Sequence, residues 1–271
     1  MKGYITILLF TLCTSLYSQN IKECFSCQQI SDCLEYCTLK EKILYDIPQE
    51  INILVLPLSI DDACFIDLAF ERNSLTKTSD FSNRHGALAA INGGFFDIKN
   101  GKGIHYLEYD HKTIHPAISF SKNSLKDSTF NSLTVVDSMG YLRIEYADNL
   151  SFYPSSNKEL LVLSAGPMLL KNGNVLDLPN SKFVRKRHPR TCIGFNERSI
   201  YMITIDGRRK SSKGMNLLEL QDFLLDLGLT DAMNLDGGGS TTMYLLDSII
   251  NQPSDLHGER KVANALLIKS K

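Results

Sequence analysis

Short apolar runs with little polar interruption recur along the chain, first at Ile51-Asn52-Ile53-Leu54-Val55-Leu56 and then at Ala63-Cys64-Phe65-Ile66-Asp67-Leu68-Ala69-Phe70. Their length and β-branched content predict strands. Further strand candidates fall at 87–91, 104–109, 115–120, 133–136, 141–146, 161–164, 192–196, 200–205, 232–235, 241–246 and 262–268. One stretch has another period. Leu217, Leu220, Leu224 and Leu227 recur at helical spacing with Phe223 beside them, Asn216 stands at the N-cap, Glu219 completes a capping box and Gly228 follows as a stop. A helix over 216–228 is predicted. The Ser-, Asn- and Lys-rich stretch 121–132 and the similar 151–158 read as surface loops, and no internal repeat or low-complexity tract is present. The order of elements predicts an α+β fold: a strand-rich single domain with mixed or antiparallel sheets and one prominent amphipathic helix, not a doubly wound parallel sheet.

The first residues change the compartment. Lys2, the apolar run from Tyr4 to Leu12 and the stretch Leu16-Tyr17-Ser18 have the three zones of an export signal, with cleavage expected near Ser18. The run is too short for a membrane span, which needs about 20 apolar residues. A lipid anchor on Cys13 is disfavoured because Leu12 stands where a small residue belongs. Residues 1–18 are therefore expected to leave, and the mature chain to be secreted or periplasmic. Losing Lys2 leaves 28 basic against 30 acidic residues, a net charge of −2 that lacks the basic excess of a nucleic-acid binder.

Six cysteines remain after such cleavage: Cys24, Cys27, Cys33, Cys37, Cys64 and Cys192. In an exported protein this even count points to disulfides. The cluster Cys24, Cys27, Cys33 and Cys37 also has the C-x2-C opening of a zinc site. Cys64 and Cys192, each in a strand-like run, read either as a pair or as buried thiols. The stretch 19–50 is taken as a cysteine-rich N-terminal extension and 51–271 as the main domain.

Three strand candidates run into turns carrying Asn or Asp beside glycine: Asn92-Gly93-Gly94-Phe95-Phe96-Asp97, Asp206-Gly207-Arg208 and Asn234-Leu235-Asp236-Gly237-Gly238-Gly239-Ser240. Glycine permits close approach to a ligand, and successive N–H groups in such turns hold anions. An isolated Asn-Gly-Gly or Asp-Gly is ordinarily a hairpin turn. Three consecutive glycines exceed what a two-residue turn requires, so 236–240 reads as functional. Among the basic residues 185–190 and 208–213, Arg190 adjoins a strand that would fix its direction, and its planar guanidinium suits bidentate phosphate contact. Lys186, Arg187 and His188 read as surface. No phosphate-binding P-loop, His-Glu-x2-His pair or Gly-x-Ser-x-Gly elbow occurs, and the six histidines form no tight metal-ligand spacing.

Taken in order, Asn92-Gly93-Gly94-Phe95-Phe96, Ala165-Gly166-Pro167-Met168-Leu169 with Asn172-Gly173, Arg190-Thr191-Cys192-Ile193-Gly194, Asp206-Gly207-Arg208, Gly214, Asn234-Leu235-Asp236-Gly237-Gly238-Gly239-Ser240 and Arg260-Lys261-Val262-Ala263-Asn264-Ala265 resemble the phosphodiester glycosidase family of the uncovering-enzyme type. The resemblance runs from about residue 87 to 268 and does not include the 24–37 cysteine cluster. It implies a hydrolase that cuts between a sugar's anomeric carbon and a phosphodiester, with a phosphorylated glycan or sugar-1-phosphodiester as partner and no cofactor or metal. The expected catalytic residues are Asp236 as nucleophile or base, Asp206 as second choice and Arg190 on the phosphate. The expected substrate-binding residues are Asn92, Gly93, Gly94, Gly166, Arg208, Asn234, Gly237, Gly238, Gly239 and Ser240. Two rivals remain: a non-catalytic binder of phosphorylated envelope glycans, and a metal-dependent phosphodiesterase cutting the P–O bond with Asp97, Asp206 and Asp236 as ligands.

Overall fold

The strand Arg190–Phe195 explains why the apolar runs show little alternation. Ile193 faces one hydrophobic core and Cys192 faces another, so both sides of the strand are buried. Its neighbours repeat this: Leu54, Met202 and Met233 enter the first core, and Ile53, Ile203 and Ala232 enter the second. A strand covered on both faces reads as a continuous apolar run. The computed structural model describes residues 21–58, 63–116, 130–147 and 158–271. The expected export signal at 1–18, most of the loops 121–132 and 151–158, and the end of the strand candidate 115–120 lie outside them.

The largest sheet has eight strands in the order Ser26–Ser31, Leu34–Leu44, Ile47–Pro57, Ser199–Ile205, Arg190–Phe195, Asp231–Asn234, Met168–Lys171 and Asn174–Val175. Two five-stranded sheets share its first core. One runs Lys112–His115, Leu107–Tyr109, Glu159–Ala165, Ser132–Asp137, Leu142–Tyr146, and the other Ser248–Ile249, Met243–Leu245, Ala89–Asn92, Asn264–Ser270, Cys64–Phe70. Every pairing in these three sheets is antiparallel, so the strand-rich expectation stands in its antiparallel form.

The second core lies between the large sheet and the helix Leu217–Asp226, whose Leu217, Leu220, Phe223 and Leu224 are buried. Its capping box is formed: the Asn216 side chain accepts from Leu218 N and Glu219 N at 2.9 Å each, and Glu219 accepts from Asn216 N at 3.0 Å. These contacts satisfy N–H groups that the first turn cannot pair within the helix.

The cysteine-rich stretch supplies the outer strands of the largest sheet, and the 50/51 boundary falls inside the strand Ile47–Pro57. Cys27 bonds to Cys37 across adjacent strands, and Cys33 bonds to Cys64 in a different sheet. The zinc reading of the cluster is corrected, because three of its four sulfurs are in disulfides and are not thiolate ligands. The pairing of Cys64 with Cys192 is likewise corrected: Cys192 is a free, fully buried thiol whose pKa burial pushes up.

Truncation of Phe223, which is 0% exposed beneath the large sheet, leaves a cavity that packed strands cannot close. Phe223→Ala is expected to lower unfolding stability by about 3–5 kcal/mol in urea titrations. A loss below about 1 kcal/mol would show that the helix contributes little to the second core.

Candidate active site

The ends of several strands meet around the side chain of Asn92. This residue is 0% exposed, and its amide Nδ2 donates to the Asp236 carbonyl at 2.6 Å. Its Oδ1 accepts from Thr191 Oγ1 at 2.7 Å and from Thr242 N at 3.1 Å. Asp236 N in turn donates to the Gly93 carbonyl at 3.0 Å. The turn after Ala89–Asn92 and the turn after Asp231–Asn234 are thus stitched together, although they leave different sheets.

The glycine run follows at once. Gly238 N donates to the Pro189 carbonyl at 2.8 Å, and a Cβ on Gly237 would stand 2.7 Å from that same oxygen. Gly238 has φ +62°, and a Cβ there would stand 2.9 Å from Arg208 Nη2. On Gly239 a Cβ would collide with the Asp255–Arg260 ion pair. Backbone blocks a side chain at Gly237, positive φ disfavours one at Gly238, and at Gly239 the Asp255–Arg260 pair would have to move.

Charge gathers on both sides of this run. Arg260 holds Asp255 through Nε at 2.7 Å and Nη2 at 2.9 Å, while its Nη1 lies 3.5 Å from Ser240 Oγ. Arg208 reaches Ser254 Oγ at 3.3 Å, and its Nη2 is 3.4 Å from His188 Nδ1. Between them sits Asp236, whose carboxyl is pushed up to about 6 by burial, against the opposing influence of the Ser240 side chain, Arg260 and Gly237 N–H. A carboxyl at that value is largely ionised at neutral pH and still protonatable, which suits a base or nucleophile.

Asn234 adds an acceptor. Its Nδ2 donates to Gly166 O at 2.9 Å and Leu235 O at 2.6 Å, while its buried Oδ1 has no partner among the described residues. Ser164 Oγ, Thr241 Oγ1 and Thr242 Oγ1 are in the same condition, and Ser164 O packs against Gly94. Such groups are satisfied by a ligand or water in most proteins.

The structure brings together Asn92, Gly93, Gly94, Arg208, Asn234, Asp236, Gly237, Gly238, Gly239 and Ser240, with Gly166 tied in through Asn234. Three of the expected site residues are engaged by protein groups. Arg190 is 2% exposed and turns to the helix side of its sheet, where Nε donates to Met215 O and Nη2 to Phe183 O and Lys186 O, each at 2.9 Å. Its Nε–Nη2 edge is thus engaged by backbone carbonyls, and burial lowers its pKa to about 10. Asp206 accepts from Asn251 Nδ2 and Gln252 N, both at 2.9 Å, and so anchors the loop 251–252; its carboxyl is raised to about 6 by burial, against those two hydrogen bonds. Asn92 has both ends of its amide engaged by protein and braces Asp236.

The metal-ligand set of the rival reading does not assemble either. Asp97 accepts from Lys99 N at 2.8 Å and Asn100 Nδ2 at 2.6 Å in its own turn, and among the described residues Asp97, Asp206 and Asp236 do not converge on one point.

Sequence reading missed Arg260, Asp255, Asn264 and His188. Asn264 Oδ1 accepts from Gly94 N at 2.7 Å and closes the space beside Gly93. The only signal for Arg260 and Asn264 was their place in the final motif block. His188, expected at the surface, touches Arg208 and has its pKa lowered by burial first and then by Arg190, Arg208 and Lys186.

Residues 85–269 match the model of the phosphodiester glycosidase family. Human N-acetylglucosamine-1-phosphodiester alpha-N-acetylglucosaminidase is 28% identical over 181 residues, which cover 61% of this chain and 33% of that protein. The chain therefore spans about a third of the length of the curated relatives it matches first. Among solved structures, the zebrafish N-acetylglucosamine-1-phosphodiester alpha-N-acetylglucosaminidase catalytic domain superposes with a TM-score of 0.72 at 21% identity, over 91% of this chain and 88% of that one. A hypothetical protein from Synechocystis reaches 0.68 at 14% identity, over 91% of this chain and 64% of its own. At these identities the structural likenesses establish the fold.

Replacing the Asp206 carboxylate by an amide leaves one of its two buried donors, Asn251 Nδ2 or Gln252 N, facing another donor. Asp206→Asn is expected to lower stability by about 1–3 kcal/mol in denaturant titrations. Unchanged stability would return Asp206 to the list of catalytic carboxylates.

Proposed function

Because the chain belongs to the phosphodiester glycosidase family, we propose that it hydrolyses the bond between a sugar's anomeric carbon and the oxygen of a phosphodiester, outside the cytoplasm. The observation that carries the reading is the Asp236 carboxyl at the head of the glycine run, raised to about 6 by burial against the Ser240 side chain, Arg260 and the Gly237 N–H. Export is supported by the leader-like residues 1–18 and by the two disulfides. No helix among the described residues is long and apolar enough to cross a membrane.

The reaction adds water across the C–O bond: the anomeric carbon gains hydroxyl, and the phosphate leaves as a monoester. That leaving group has a conjugate acid near pKa 6, about ten units below the 15.7 of water. It departs without a strong general acid, so the site needs cations and N–H donors at the phosphate more than a proton donor. Arg208 and the Nη1 edge of Arg260 fill that role beside the glycine run. An oxocarbenium-like transition state needs a carboxylate beside the anomeric carbon. Asp236 serves as nucleophile or base, and the unpaired Asn234 Oδ1 accepts from a sugar hydroxyl. The strand-rich single-domain organisation, with the helix Leu217–Asp226 supporting the large sheet from behind, keeps these turns fixed.

Asp236→Asn is expected to fold normally and to lose about 10²–10⁴-fold in hydrolysis of N-acetylglucosamine 1-phosphodiesters. In the native chain kcat/KM should fall below a pH of about 6, by about tenfold per unit, as Asp236 takes up a proton. Asp206 is raised to about 6 as well, so the acid limb must persist in Asp206→Asn if it belongs to Asp236. Hydrolysis in oxygen-18 water should place the label in the sugar; label in the phosphate would mean P–O cleavage and end this reading.

A further inference from the structure

Immediately beyond the Asn92-Gly93-Gly94 turn the chain forms a small hairpin, Phe96–Asp97 paired with Lys102–Gly103. The hairpin walls a cleft of about 390 Å³ that is also lined by Arg72, Asn73, Asn100 and His115. Only Phe95 and Phe96 lie between Gly94 and Asp97, so the three residue steps reach about 10 Å at full extension. The cleft therefore opens next to the candidate active site and is not used by it.

Its lining is cationic and built. Neither Arg72 nor Lys102 has a hydrogen-bond or ion-pair partner among the described residues, and both are exposed at the cleft. The one carboxylate present, Asp97, is occupied by Lys99 N and Asn100 Nδ2 in its own turn. The wall behind the cations is the buried ring of His115, oriented by Nε2 at 3.3 Å from the Glu71 carbonyl. Gly103 lies flat against that ring, where a Cβ would stand 2.9 Å from His115 Cδ2. The His115 pKa is lowered by burial first and then by Arg72 and Lys102, against the Glu71 hydrogen bond, so both cations lie near the ring.

We propose that this cleft is a second oxyanion subsite, which takes a phosphate carried on the part of the substrate beyond the scissile phosphodiester, with Arg72 and Lys102 as its cationic contacts and Asn73 as a neutral donor. The assignment rests on the hydrolase reading for the position of the scissile bond. Two guanidinium- and ammonium-type donors with no protein partner suit a phosphate dianion better than a neutral group. The substrate class selected is a sugar 1-phosphodiester whose alcohol itself bears a phosphate, as in a repeating phosphodiester glycan.

The test compares two N-acetylglucosamine 1-phosphodiesters, one with a methyl alcohol portion and one with a glycerol phosphate portion, on the full chain and on the double variant Arg72→Ala/Lys102→Ala. The expected result is a rise in KM of about tenfold or more for the phosphate-bearing substrate alone, with kcat unchanged for both. An equal change for the two substrates, or none, overturns the subsite. If the native chain cleaves neither compound, the hydrolase reading fails separately, and the cleft is judged by calorimetric titration with glycerol 3-phosphate. Binding by the native chain that is lost in the double variant supports the subsite; absent or equal binding overturns it. Succinate in place of glycerol 3-phosphate separates the oxyanions: equal or tighter succinate binding overturns the phosphate assignment.

Discussion

The geometry of the candidate site depends on one buried amide. Asn92 donates to the Asp236 carbonyl and accepts from Thr191 and Thr242, so a single side chain joins the end of its own strand, an interior strand of the eight-stranded sheet and the start of the glycine run. Hydrogen bonds in such a dry setting polarise one another, and loss of one partner leaves the rest unsatisfied at about 1–3 kcal/mol each. The three sheets share a core that alone would let their ends slide. The Asn92 contacts fix where those ends meet, and through the Gly93 carbonyl they fix Asp236.

Electrostatics then sets what Asp236 can do. Burial raises its carboxyl, and Ser240, Arg260 and Gly237 N–H pull it back to about 6. A tight two-pronged pair with Arg260 would hold the carboxylate permanently ionised and weakly basic. That pair is prevented because Asp255 occupies the Nε and Nη2 edge of Arg260, leaving Nη1 toward Ser240. Asp255 is thus a competitor that keeps Asp236 available, and Gly239 is bare because the Asp255–Arg260 pair fills the space where its side chain would be.

The parts of the molecule legible in the sequence are those governed by neighbours along the chain. The capping box at Asn216 and Glu219 is a three-residue signal, and the apolar runs give strands because each strand buries its own residues. The turns were legible as turns, and their convergence was legible only through the ordered resemblance. What failed was long-range. Asp206 finds its partners 45 and 46 residues away, and Cys33 finds Cys64 31 residues away across two sheets. Nothing in the local sequence distinguishes a carboxylate that anchors a loop from one that awaits a substrate.

Arg190 shows how a buried cation can position a glycine turn from behind. The strand period of two settles its fate: Thr191 and Ile193 face the shared core and the Asn92 junction, so Arg190 and Cys192 must face the helix. There the guanidinium ties the carbonyls of Phe183, Lys186 and Met215, which fixes the chain on either side of Pro189. The Pro189 carbonyl accepts from Gly238 N and abuts Gly237. The position of the glycine run is therefore set from behind by a buried cation, and the rigid planar fork matters because three carbonyls must be held at once. A lysine would carry the same charge and could not hold all three in that arrangement.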